Sequence, residues 1–154
     1  MVSITDGVTL QDIVPRAPRG QLSLRPKSST LDRLRHRARL TGKQPTPLAE
    51  RYLEEGLLMD EFPGIHFVDA PMGRRPAVHG TGLDVWEIVA VLKDNGLSVP
   101  ETAAYLEVDR SVVEIAVRYY GSNREEIDTW IARVYELNEV EEQKWRAAQR
   151  ALSA

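Results

Sequence analysis

Between Gly80 and Asn123 the chain carries so many helix start and stop signals that only a cluster of short helices can satisfy them. Asp84 and Glu87 stand three apart, the spacing of a variant capping box. Val85, Ile88, Val89 and Leu92 follow at helical intervals, and Gly96 ends the run. Ser98 and Glu101 repeat the box, with Pro100 in the first turn of "PETAAYL". A three-residue turn, "EVD", then leads into "RSVVEIAVRYY", which Gly121 stops. A last helix starts at Ser122 or Asn123 and runs through "REEIDTWIARVYELNEVEEQKWRAAQRAL". Its stripe of Ile127, Ile131 and Val134 loses phase near Asn138 before Trp145, Ala148 and Leu152 resume, so a kink or break is expected there.

Upstream, "FPGIHFVDAPMGRRPAV" predicts a short β-hairpin. Ile65 and Phe67 alternate with His66 and Val68, Pro71 and Gly73 turn the chain, and Pro76 keeps the second arm at the outside of any sheet. Gly80-Thr81-Gly82 has the look of a phosphate loop but lacks the longer glycine pattern and the lysine such a loop uses. A structural turn is expected instead, with Asp84 capping the helix that follows.

The first sixty residues are of another kind. Residues 1–20, with Pro15, Pro18 and Gly20, read as a loose leader. "QLSLR" at 21–25 alternates like a half-buried strand, and Pro26 closes it. Ser28 or Ser29 can cap the helix "TLDRLRHRARLTG", whose narrow stripe is Leu31, Leu34 and Ala38 and whose stop is Gly42. Thr46 as cap, with Pro47 in the first turn, opens a second helix with Leu48, Tyr52, Leu53 and Leu57 on one side. A strand and two helices in about forty residues cannot bury a core alone. The unit needs a partner.

Strand-helix-helix with a basic strand resembles the ribbon-helix-helix fold, in which two chains pair their strands into one antiparallel ribbon. The resemblance implies a homodimer whose ribbon enters the major groove of DNA, with Leu22 and Leu24 inward and Gln21, Ser23 and Arg25 outward. The helix start at Thr46 would aim free N–H groups at a phosphate, and Lys27 and Lys43 would add backbone contacts. A second candidate reader of DNA is the helix-turn-helix pattern from Pro100 to Tyr120. Ala103 stands at the helix crossing, Leu106 and Val108 flank the turn, and Val113 and Ala116 pack back. Glu107 occupies a position where glycine is usual, because the backbone there goes to positive φ. Arg110, Ser111, Glu114 and Arg118 would face the groove, Glu114 accepting from a cytosine amine. The same segment also fits an ordinary helical hairpin.

Charge separates along the chain. Arg16, Arg19, Arg25, Lys27, Arg33, Arg35, Arg37, Arg39 and Lys43 are opposed only by Asp32, whereas 125–142 carries seven acids against Arg133. A basic front and an acidic back suit two kinds of partner. Catalytic chemistry is poorly provided for. His36, His66 and His79 lie apart without metal-ligand spacing, there is no cysteine, and no nucleophile elbow is present. Glu125, Glu126 and Asp128 complement a helix dipole. No apolar run approaches the ~20 residues of a membrane span and no export signal is visible, so a cytoplasmic, non-enzymatic protein without cofactor is expected.

The stretch from Arg74 to Asp128 is similar to the DUF433 domain, a helix-turn-helix module of prokaryotic antitoxins. Val78, Gly80 and Thr81, "LDVWEIV", "SVPETAAYL", and "YY" before "EEID" carry the likeness. Gly82 stands where the family commonly has arginine. The resemblance implies a VapB-like antitoxin that represses its own operon and inhibits a PIN-domain-like ribonuclease toxin. Such nucleases hold Mg²⁺ with clustered carboxylates, so Arg146 and Arg150 beside Trp145 and Leu152 are the candidate toxin-binding residues. The expected architecture is mainly α. It comprises a leader (1–20), a ribbon-helix-helix-like unit (21–61), a DUF433-like helix-turn-helix domain with its short hairpin (62–135), and a helical tail (136–154). A stand-alone transcriptional regulator and a protein-interaction module that never touches DNA are the alternatives.

Overall fold

The computed structural model describes residues 20–153, so nearly all of the expected leader lies outside the described residues. The described chain is mainly helical, with six helices and one antiparallel hairpin. The order is α1 (Ser28–Thr41), α2 (Pro45–Glu61), β1 (Ile65–Ala70), β2 (Gly73–Val78), α3 (Val85–Asp94), α4 (Val99–Leu106), α5 (Arg110–Ser122) and α6 (Arg124–Leu152). It divides into two compact units, one ending at Pro45 and the other beginning at Thr46.

In the first unit, residues 20–27 form no strand and all are exposed. Leu22 and Leu24 each keep 66% of their surface open. The strand expected over 21–25 is thus absent from the single chain. A strand's N–H and C=O groups require a neighbouring strand, and the described residues pair only β1 with β2. α1 begins with Lys27 in the cap position, and neither Ser28 nor Ser29 supplies a side-chain cap. Its expected stripe has the right phase: Leu31 and Leu34 are half-buried and Ala38 is buried. Gly42, in the left-handed region at φ 63°, ends the helix, and the Lys43 N–H donates back to the Ala38 carbonyl at 2.9 Å.

The second unit takes in α2 from Thr46 onward. Because α2 starts at Pro45, Thr46 lies inside its first turn and does not cap it. The inward face of α2 also differs from expectation. Leu48 is buried, but Tyr52, Leu53 and Leu57 are exposed. The buried line instead runs through Glu55 to Leu58 and, just past the helix, Phe62, the last two packing on the main core. Glu55 is tolerated there because Arg74 donates to both its oxygens, at 2.5 and 2.9 Å, while the Arg51 guanidinium lies 3.7 Å away. The bond to Glu55 raises Arg74 above the ordinary guanidinium value.

In the hairpin Ile65 faces Val78 and Ala70 faces Gly73, which leaves Pro71 and Met72 as the turn. α3 lies at the centre of the unit and packs against β2, α4, α5 and α6. The core joins Ile65, Val78, Val85, Ile88 and Val89 to Ala103, Val113, Ala116, Tyr119 and Ile127. Burying each large apolar side chain is worth about 1.5–3 kcal/mol. Glu87 accepts the Asp84 N–H at 2.8 Å, which makes one arm of the expected capping box. α6 is a single uninterrupted helix of 29 residues, about 43 Å long at its standard rise. The break expected at Asn138 does not occur. Beyond Val134 every side chain up to Ser153 is exposed, so no packing surface forces the helix to follow its shifting stripe.

Candidate nucleic-acid interface

α4, the turn 107–109 and α5 form the helical pair anticipated from Pro100 to Tyr120. The Ser98 hydroxyl accepts the Glu101 N–H at 3.4 Å, and Pro100 occupies the first turn. The Asp109 carboxylate accepts the Ser111 N–H at 2.8 Å, and the Ser111 side chain together with that N–H holds its carboxyl below the usual range. Glu107 adopts φ 56°, ψ 41°, the left-handed conformation usually given to glycine. The Val108 N–H donates to the Ala103 carbonyl at 3.0 Å and locks the turn. Ala103 is buried at the crossing, and Val113 and Ala116 are fully buried behind it. A non-glycine residue in this conformation costs about 1 kcal/mol. Glu107→Gly is therefore expected to raise stability by about 0.5 kcal/mol, after the entropy glycine adds to the unfolded chain, and thermal unfolding measures it.

Arg110, Ser111, Glu114 and Arg118 are all exposed, and the spacing of 110, 114 and 118 lines them along one face of α5. The electrostatics are unlike those of a typical groove reader. Glu101, Glu107, Asp109 and Glu114 are exposed on the same helical pair, against Arg110 and Arg118 alone.

The other predicted DNA contacts fall differently. Gln21, Ser23, Arg25 and Lys27 sit on the irregular segment before α1, all exposed, and the single chain does not align them on a strand face. Lys43 is exposed just after α1. Thr46 is exposed within α2, so its proposed role as the phosphate-facing cap is not available. The basic side chains of α1 (Arg33, Arg35, Arg37 and Arg39) are also exposed, and Asp32 takes up only Arg35, at 3.8 Å. Sequence reasoning counts Arg33 and Arg37 in the basic front but does not single them out as contacts. Their signal was a four-residue spacing with no carboxylate partner.

In the Gly80-Thr81-Gly82 turn the Thr81 N–H and the donors flanking the turn are already used. The N–H groups of His79, Thr81, Leu83 and Asp84 donate to Gly64, Val78, the Thr81 hydroxyl and Glu87 respectively. The Thr81 hydroxyl in turn donates to the Val78 carbonyl at 2.8 Å. Gly82 sits at φ 71° with open space where a Cβ would stand, so conformation and not crowding favours glycine there.

Other polar groups of the second unit brace the bundle. Lys93 on α3 bonds Asp128 on α6 at 2.6 Å, which raises the lysine and lowers the carboxyl relative to their ordinary values. The Tyr119 hydroxyl donates to Glu126 at 3.0 Å, while desolvation holds the Glu126 carboxyl above the usual range. His66 and His79 come together edge-on at 5.3 Å. Among the described residues no three His, Asp or Glu side chains gather as a metal site.

Trp145, Arg146, Arg150 and Leu152 all lie on the uncovered end of α6. Trp145 is 63% and Leu152 87% exposed, and Arg146 pairs with Glu142 one turn earlier. No helix among the described residues is long and apolar enough to cross a membrane. No protein family, curated protein or solved structure matches the chain.

Proposed function

We propose that the chain is the antitoxin of a type II toxin–antitoxin pair. As a homodimer it binds its own operator, and through the end of α6 it engages and inhibits a PIN-domain-like ribonuclease, with no catalytic step of its own. The observation that carries this reading is the bare second half of α6. Most helical stability in proteins comes from tertiary packing; this segment has none and yet displays Trp145, Leu137, Val140 and Leu152 to solvent. Amphipathic helices of this kind find their stability in the groove of another protein. Arg146 and Arg150 on the same segment suit the clustered carboxylates of a Mg²⁺-dependent nuclease. The dimer is supported by the first unit, where Leu22 and Leu24 stand uncovered on a segment that has the alternation of a strand but no strand to pair with. A second copy supplies one.

Co-expression with the product of the adjacent gene tests the reading. The full chain is expected to rescue growth and to co-purify with that product. A chain ending at Tyr135 should lose both while keeping the unfolding midpoint of the second unit. A neighbouring product that is harmless alone, or a truncated chain that still neutralises it, overturns the proposal.

A further inference from the structure

The geometry points to α1, and not the helix-turn-helix, as the element that tracks duplex DNA, with Arg33 and Arg37 contacting the phosphate backbone; this rests on the DNA-binding reading above. Both arginines are exposed and neither makes an ion pair among the described residues. Four residues apart, they stand about 6 Å from one another along the helix. Each DNA strand presents a charge every ~3.4 Å of axis, so a row with this step meets separate phosphates and does not crowd one. Arg35 and Arg39 form a second such row on the opposite flank of the Leu31–Leu34–Ala38 stripe, and Arg35 alone has a carboxylate near it. Arg25, Lys27 and Lys43 extend the same field beyond both ends of the helix.

The helix-turn-helix offers the reverse. Its four exposed carboxylates would lie against a polyanion, and only two arginines compensate. In the acidic stretch of α6, the rival ligand for α1 in a second copy, part of the charge is already taken up, although Glu136 and Glu139 make no ion pair among the described residues. Glu141 and Glu142 are already paired with Lys144 and Arg146 within their own helix.

The test is a salt titration of the full chain against a labelled random-sequence duplex of about 30 base pairs. Each phosphate contact contributes about −0.9 to the slope of log affinity against log salt. The double variant R33A/R37A is expected to flatten that slope by about 1.8 for each protomer bound, about 3.6 for the dimer, and R110A/R118A is expected to leave it unchanged. Alanine is the best helix former, so unchanged helicity by circular dichroism shows that α1 persists in the first variant. A slope that moves only with R110A/R118A returns the role to α5 and overturns the inference, although DNA binding stands. Wild-type protein that fails to bind duplex at low salt removes the operator reading as well. Tighter binding to single-stranded RNA of equal length reassigns the ridge to RNA. A salt-sensitive dimer lost in R33A/R37A with duplex binding intact reassigns the two arginines to self-association. Either result overturns the assignment to DNA.

Discussion

Tyr119→Ala is expected to cost about 4 kcal/mol, the middle of the range for truncating a buried aromatic ring. The side chain is fully buried where α5 meets α6. Phe62 meets its ring edge-on with centroids 5.2 Å apart, which ties the end of α2 to the bundle. Its hydroxyl is satisfied by Glu126, so the residue contributes packing and a bond together. A domain of this size is stable by only about 5–15 kcal/mol, so the variant should show a marked drop in its urea midpoint, followed by circular dichroism. Tyr119→Phe is the control, since it removes the bond but keeps the ring and should lose about 1 kcal/mol. If alanine and phenylalanine cost the same, the ring does not hold α2 and α6 to the bundle.

The second large effect is expected at Glu55. Removing one partner of a buried ion pair typically costs 3–5 kcal/mol, because the charge left behind has lost its water and gained nothing. The Arg74 side chain is 25% exposed, so part of that penalty is recovered by solvent. Glu55→Ala should therefore cost about 2 kcal/mol after that discount. Replacing both Glu55 and Arg74 by leucine should cost less than the two single replacements added, since neither member of that pair is then stranded, although Arg51 still loses its carboxylate. Denaturant unfolding of E55L, R74L and the double completes the cycle. A double variant as unstable as the sum of its singles would show that the pair is not coupled.

The α2 face shows why part of this fold was hidden in the sequence. Its buried line, Leu48, Arg51, Glu55, Leu58 and Phe62, has helical spacing of three and four. Two of the five are charged, so a search for apolar residues lands on Tyr52, Leu53 and Leu57, which are exposed. The disguise is physical: Glu55 is neutralised by Arg74, nineteen residues away on the hairpin, and no local pattern reveals that pairing. From Asp84 onward the reverse holds. Caps at Asp84, Ser98 and Asp109 are local chemistry, and the helices start where they say. The position of Glu107 likewise predicted a positive φ before the side chain fitted the preference, and the backbone took that conformation with glutamate. The candidate interface was only half legible. The charge imbalance of the first unit is plain in the sequence, but it took the exposed carboxylates around α5 to set one basic helix against the other.

The hairpin carries one more consequence. The outward-facing N–H of Val78 is bonded to the Leu83 carbonyl at 3.0 Å, and an isolated bridge joins Ala77 to Asp84. Two residues earlier on the same side is Pro76, which has no N–H to offer. The outer margin of β2 is therefore closed to a third strand, and fibril-like stacking of copies cannot begin there. Chain-to-chain strand pairing is thereby directed away from β2, and the proposed dimer places it at residues 21–25.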